Sequence, residues 1–519
     1  LSTALVRDLW LCEDGGRRLA AEAEYKLIDS DEKFVGLSEI VSDVGVIDYG
    51  FRTFAAVLLR KLMLDDVGGD VSMVLGYARS NVGELVGHRS FGRAVSQVLG
   101  CELKRNGPCA SLVMEFVLEM LEKDDEVEVG FDVVEYSCGS SVDVSRISEC
   151  LVRLLSKNSL RAAQVFVSVV KQSGDRDALF DRTFPAYIEY VERGADEERM
   201  RSLLNLLDDC DVVERMVPAS MFRRVARLVS AFTEHPDVHA IKIECMVCMA
   251  RRWPDLFKSE VCDAFLRDVL GLIARSGSET VLSDWEEVDD VDDEIDCNSV
   301  YCTAESALDR VANVIKDELW PRLNALTRLA EHQWASGDWP RLYAALIAVG
   351  VVGEGCSAVM NSELVAMVEG LIHAFADHPH PLVKYALCNT VGQICDDFSP
   401  LPQIECHASI SHLLLKYICQ TGSTRVRVHA VCALGNFVDA CPKYILAKYA
   451  PQISPSLLSA VQVGFEMLKH SHRFILIENA LNTLARYVDQ ARELVGECYT
   501  VFMETLHQIL KEVSAALAS

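Results

Sequence analysis

Two prolines, Pro379 and Pro381, constrain this chain more than any other local feature. They lie in the run Asp377-His378-Pro379-His380-Pro381. Each fixes its own backbone and supplies no amide proton, so a helix arriving there must stop. Val383, Leu387, Val391 and Ile394 then recur at helical spacing and form one apolar stripe. Asn389, Gln393 and Asp396 fall together on the opposite face. A turn of this kind, repeated, builds a helical solenoid. Solenoids bind long partners along a surface and seldom do chemistry.

The turn does repeat. Three segments align: Asp338-Trp339 to Gly355-Cys356, His380 to Pro400, and Thr424-Arg425-Val426 to Cys441-Pro442. Each has a turn, an alanine-rich helix and a polar or Cys-Pro end. Ala344, Ala386 and Ala430 take matching places at steps of 42 and 44 residues. A period of about 40–47 residues is the range of HEAT and armadillo helix pairs. The expected fold is all-α, a HEAT-repeat superhelical solenoid of antiparallel helix pairs. Period-two alternation is rare, which argues against sheets. Helical patterns also cover Arg18 to Ile28, Arg52 to Leu64, Ala110 to Leu121, Ile147 to Leu155, Arg161 to Val170, Arg199 to Leu207 and Ala307 to Ile315.

Charge narrows the partners. The chain carries a formal net charge of −27. Nucleic acid binding needs clustered Lys and Arg, so no nucleic acid is expected as a partner. The same sign disfavours an anionic membrane surface, and no apolar run approaches the ~20 residues of a membrane-spanning helix. Basic proteins are the partners such a field attracts. The 19 cysteines are scattered through helical patterns without a disulfide framework. They read as reduced thiols of a cytosolic or nuclear protein, used as small core residues. No signal-peptide pattern opens the chain. It begins at Leu1, so a few leading residues are expected to precede it.

Catalytic patterns are absent from the sequence. Gly83, Gly87 and Gly92 are wrongly spaced for a phosphate loop and lack its Lys. Cys245 and Cys248 have metal-like spacing, with His235 and His239 upstream, but sit in a helical run without a second such pair. His378 and His380, near Cys388, flank prolines in a turn. No catalytic residue, cofactor or metal site is expected.

One segment breaks the helical texture. From Asp284 to Asp296, nine of thirteen residues are acidic and none is basic. Like charges at this density repel, so a solvated loop reaching about Ser299 is expected. It is either an unspecific insert or an electrostatic clamp for a basic surface. Trp339 opens a repeat, where a core position is favoured over a groove-facing one. Asn389 and Asn436 lie in second helices of successive repeats. They suit either bonds to a neighbouring helix or a grip on an extended peptide.

Several motifs together resemble the importin-β superfamily of nuclear transport receptors, most closely the importin five (karyopherin beta three) type. Arg18-Leu-Ala-Ala21-Glu22-Ala-Glu-Tyr25 and Ala55-Ala-Val-Leu-Leu-Arg60-Lys61-Leu62 resemble the family's first helices. Asp284-Trp285 with the acidic run, then Glu305-Ser306-Ala307-Leu308-Asp309-Arg310, resemble its acidic loop and following helix. Gly353-Glu354-Gly355-Cys356, the His380–Pro400 helix, and Asn436-Phe437 to Cys441-Pro442 complete the series. Leu382 and Lys384 depart from the family pattern, which has Arg at both places. Members are about twice this long, so the chain is expected to be an N-terminal half.

The resemblance implies second helices on an inner, concave side. It implies residues 1–280 as a Ran-binding arch, 281–300 as the acidic loop and 301–519 as cargo-binding repeats. Implied partners are RanGTP, basic cargo with lysine-rich signals, and Phe-Gly nucleoporins, for a monomer shuttling between cytoplasm and nucleus. RanGTP would release the cargo. The acidic loop residues Asp284, Glu286, Glu287, Asp289, Asp290, Asp292, Asp293, Glu294 and Asp296 are the implied Ran contacts, with Arg52, Arg60 and Lys61 on an early helix. Glu354, Asn389, Gln393, Asp396, Asn436 and Asp439 are the implied cargo contacts. A HEAT scaffold organising a multiprotein complex, outside the Ran cycle, is the alternative.

Overall fold

The computed structural model describes residues 1–12, 14–46, 48–65, 69–123, 125–137, 144–172, 176–194, 196–209, 212–232, 239–280, 282–287, 300–334, 338–471 and 473–518. These residues are almost entirely helical and form two units, Leu1–Leu228 and Val229–Ser519.

In the first unit, the helices Tyr49–Leu64, Arg89–Lys104, Val127–Ser137, Leu160–Gln172 and Glu197–Leu207 stack side by side in chain order. Each is preceded and backed by a partner: Ser30–Ser42, Ser72–Ser80, Ala110–Glu122, Val144–Ser156 and Arg176–Gly194. Local sequence sets the starts. Asp48 accepts from the Phe51 amide at 3.1 Å, and Asp196 from the Arg199 amide at 3.0 Å. Each satisfies an amide that has no partner within the helix.

The second unit repeats the plan more regularly. Trp339–Val351, Pro381–Asp397, Thr424–Asp439 and Ile475–Ala491 form one layer, while Leu364–Phe375, His407–Gln420 and Lys443–Ser471 form the other. Pro381 is in the first turn of its helix, with His380 as N-cap, as the proline pair requires. Val383, Leu387, Val391 and Ile394 are buried, but so are Leu382, Ala386, Cys388, Thr390 and Cys395. A helix flanked on two sides by its own layer and backed by the other needs more than one apolar stripe. Full burial of each Val or Leu side chain contributes roughly 1.5–3 kcal/mol.

Close approach within the layer falls at glycine. A side-chain carbon added at Gly392 would lie 3.1 Å from Ala433, and one at Gly435 would lie 3.0 Å from the Thr483 hydroxyl. Gly350 meets Thr390 in the same way, at steps of 42 and 43 residues along the series. Thr390 Oγ1 donates to the Leu346 carbonyl at 2.6 Å, and Thr483 Oγ1 to the Val431 carbonyl at 3.0 Å. These bonds cross-link successive second helices.

Candidate functional site

Three of the four second helices of the second unit end in or just before a carboxylate, which gives their layer an acidic edge. Glu354 follows Trp339–Val351, Asp396 and Asp397 close Pro381–Asp397, and Asp439 closes Thr424–Asp439. Asp309, in Val300–Ile315, joins this group electrostatically. Burial, then the charges of Asp396, Glu354 and Asp309, push the Asp397 carboxyl up to about 6; the Glu354 amide opposes this. Burial and Glu354 also raise Asp309. Like charges held together disfavour each other's ionised form. Bare backbone at Gly353 makes the crowding possible, since a side-chain carbon there would lie 2.3 Å from Asp397 Oδ2. An arriving ammonium or guanidinium group would relieve the repulsion.

The six expected cargo contacts all lie on or beside this layer, in different circumstances. Glu354, Gln393 and Asp396 are exposed. Asn389 is half-buried, and its amide makes no hydrogen bond among the described residues. Asn436 differs: its Nδ2 donates to the Gly392 carbonyl at 3.2 Å, and its Oδ1 accepts from Arg486 at 3.1 Å. Arg486 also lies 2.8 Å from Asp439. Asn436 therefore ties three successive helices together. In the register set by Gly392 and Gly435, its counterpart is Gln393 and not Asn389.

The opposite edge is aromatic and basic. Trp339 is half-buried, not core, and stacks on His380 with ring centroids 3.6 Å apart. The start of the acidic segment is not a solvated loop. Leu282–Glu287 is a short helix, because Trp285 has aromatic and cationic neighbours to pack on. Its ring meets Tyr385 edge-on at 5.6 Å, and the Arg425 guanidinium lies 5.4 Å from its centroid. Glu286 accepts from the Thr424 amide at 3.0 Å, and its carbonyl accepts from Arg473. The side chains of Asp284 and Glu287, and all of Asp289, Asp290, Asp292, Asp293, Glu294 and Asp296, lie outside the described residues.

In the first unit, Arg52 is turned inward. It is 1% exposed and donates to the Val41 carbonyl from Nε at 3.1 Å and from Nη2 at 2.7 Å. The rings of Tyr77 and Phe91 lie 4.5 and 4.4 Å from its guanidinium. The sequence reading of Arg52 as a surface contact gives way to this packing role. Arg60 is half-buried, donates to Gln97 and lies over Tyr136; Lys61 is exposed. Nearby, a polar cleft of about 310 Å³ is lined by Arg93, Gln97, Lys104, Asp132, Glu135 and Tyr136, among others. Arg161 closes its acidic side, pairing with Asp132 and Glu135 at 2.8 Å each.

The sequence reading missed Asp309, Asp397, Arg486 and the Trp285 contacts. Asp309 and Asp397 were within reach, being one repeat from Glu354 and next to Asp396. The described cysteines are free thiols, most of them buried. Burial pushes Cys262 and Cys406 up to about 11 and Cys441 to about 12, which keeps them protonated. Cys245 and Cys248 are buried, and His235 lies outside the described residues. Among the described residues, no group of His, Cys, Asp and Glu could hold a metal, and no helix is long and apolar enough to cross a membrane.

No protein-family model matches the chain. Importin subunit beta-3 of Saccharomyces cerevisiae is 27% identical over 338 residues, which is 63% of this chain and 30% of the relative. Transportin-1 of Homo sapiens is 29% identical over 194 residues, 37% of this chain and 20% of the relative. Among solved structures, Kap121p bound to Nup53p matches with a TM-score of 0.78 at 23% identity, over 98% of this chain and 50% of that chain. Kap121p bound to Pho4p matches with a TM-score of 0.76 at the same identity, over 98% of this chain and 51% of that one. The fold is thus the HEAT-repeat solenoid of Kap121p. The chain spans about half the length of these solved chains. In sequence the chain is thus similar to an importin and a transportin, and in fold to Kap121p.

Proposed function

We propose that this chain is the cargo- and Ran-binding part of a nuclear import receptor. Basic, lysine-rich signals lie along the layer of second helices in the second unit. RanGTP engages the first unit and the acidic segment and releases them. The observation that carries the reading is the acidic edge, with Glu354, Asp396, Asp397 and Asp439 at the ends of successive second helices. Neighbouring helices lie about 8–10 Å apart, and an extended chain advances about 3.3 Å per residue. A bound segment would therefore present a basic residue at roughly every third position. Charge-assisted bonds to carboxylates and to the Asn389 amide would hold it. Such a segment is disordered when free, so ordering it limits affinity and leaves it open to release.

Lys61 and the cleft near Tyr136 are the first unit's contacts on this reading, with the acidic residues 284–296 as the clamp. Kap121p has been solved bound to Pho4p, Ste12p and Nup53p. By analogy, cargo proteins and Phe-Gly nucleoporins are the partners here, for a receptor that shuttles between cytoplasm and nucleus.

Titration with Ran carrying a non-hydrolysable GTP analogue, against the GDP form, tests the reading. GTP-selective binding that expels a labelled lysine-rich peptide is the expected result. Changing Asp289, Asp290, Asp292 and Asp293 to Lys should weaken Ran and leave helicity intact. Equal or absent binding of the two Ran forms by folded protein would favour a scaffold.

A further inference from the structure

The short helix Leu282–Glu287 sits on the second-helix layer like a bound ligand. Its contacts are distant in sequence: Thr424 and Arg473 are 138 and 187 residues from Glu286. Trp285 enters a cleft whose floor is Tyr385, itself packed edge-on against His429 at 4.2 Å. The wall is Arg425, 5% exposed, with its guanidinium within cation–π range of the indole. Burial and Arg425 hold His429 neutral, its pKa lowered to about 4, so the floor stays uncharged at working pH. Beside the cleft, the Thr424–Asp439 helix begins. Its cap Ser423 serves the Val426 amide, while the Thr424 amide is served by the Glu286 carboxylate. A carboxylate at a helix start gains from both the open amide and the helix dipole.

Each part reads one chemical feature. The cleft takes a large flat indole, and the helix start takes a carboxylate one residue further on. Both sets of receptor groups belong to elements anchored in the core: Leu382, Val383 and Ala386 beside Tyr385, and Val426, Val428 and Ala430 around Arg425 and His429. The occupant has little core of its own. Its six residues make fewer than two turns, too short to be stable alone. A rigid receptor filled by a marginal segment favours exchange of the segment.

We propose that the Tyr385–Arg425–His429 cleft and the adjoining helix start form a binding site for a tryptophan followed by a carboxylate, filled in cis by Trp285 and Glu286 and open to a partner segment of the same chemistry. The partner is an acidic, aromatic peptide, and so differs in charge from the basic cargo proposed above. The two readings stand or fall separately.

The probe is a capped peptide Ser-Asp-Trp-Glu-Glu carrying 5-fluorotryptophan, followed by fluorine NMR. The Trp285→Ala/Glu286→Gln variant, with its helicity checked by circular dichroism, should bind the probe at least tenfold tighter than the unaltered chain. Adding Arg425→Ala should abolish the gain, and a probe with Ala for Trp should not bind. In the unaltered chain, excess probe should speed amide hydrogen exchange at residues 282–287 and leave 385–391 protected. That measurement decides the matter should the variant fail to fold. If exchange at 282–287 does not respond, or the folded variant ignores the probe, Trp285 is a fixed strut and the proposal is wrong.

Discussion

Arg486 holds the carboxylate of Asp439 at 2.8 Å, at the acidic edge where a basic ligand would have to arrive. Both side chains are about half exposed, at 48% and 47%. Such a pair contributes about 0–1 kcal/mol to stability, so its main effect is on the charge that a ligand meets. Arg486 makes the last carboxylate of the series the least available. Arg486→Ala should raise affinity for a lysine-rich peptide roughly 2–10-fold at low salt and change unfolding by less than about 1 kcal/mol. Fluorescence anisotropy at two salt concentrations, with a thermal melt, reads both. Unchanged affinity would place Asp439 outside the bound segment.

The two asparagines separate in the same way. Asn436 bridges Gly392 and Arg486, while the Asn389 amide has no partner among the described residues. Asn436→Ala should destabilise the second unit by about 1–2 kcal/mol, near the sum of two ordinary hydrogen bonds. Asn389→Ala should leave stability within about 0.5 kcal/mol and weaken the peptide by about 0.5–1.5 kcal/mol. Denaturant unfolding alongside peptide titration distinguishes them. A peptide loss from Asn436→Ala alone would reverse the assignment.

These cases show where sequence reading reaches its limit. Pro381, the apolar positions from Val383 to Ile394 and the repeat step define the helix and its exposed face, because local backbone chemistry and periodicity decide them. The polar residues on that face are decided by neighbours in the adjacent repeats. Nothing local in Asn436 tells that Arg486, fifty residues on, shares its amide oxygen. Trp285 is the same problem at longer range. Its surroundings in sequence are acidic and argue for solvation, whereas its surroundings in space are Tyr385 and Arg425. Arg52 misled for a third reason. An arginine on an amphipathic helix reads as surface, but planar guanidinium tolerates burial between rings where a carbonyl accepts its protons.

Arg52 accordingly gives a stability prediction. Removing it empties space between Tyr77 and Phe91 and strips the Val41 carbonyl of its donors. Arg52→Ala should destabilise the first unit by about 2–4 kcal/mol, from lost charge-assisted bonds and packing. Arg52→Lys should recover less than half, since one ammonium replaces neither the fork nor the flat face. Lys61→Ala, on the same helix but exposed, should leave stability unchanged. Denaturant unfolding followed by circular dichroism compares all three, and a neutral Arg52→Ala would contradict the buried geometry.

Asp397 carries the pH dependence. Its carboxyl is raised from 3.8 to about 6, by burial first and by Asp396, Glu354 and Asp309 after that. The folded chain therefore binds this proton more tightly than the unfolded chain does. The stability the group contributes is full below about pH 4 and falls as pH rises through about 6. Asp397→Asn should flatten that fall. Ligand binding runs the other way. A lysine ammonium beside Asp397 favours the ionised form, so binding near pH 6 should release a proton, and affinity should rise from about pH 5.5 to about pH 7 and level off above. Calorimetry in two buffers of different ionisation enthalpy counts the proton directly. Release in the unaltered chain and none in Asp397→Asn would put the bound base at the Asp397 cluster. Equal heats in both buffers would place the ligand elsewhere on the layer, because a base seated beside Asp397 would lower its raised pKa and displace its proton.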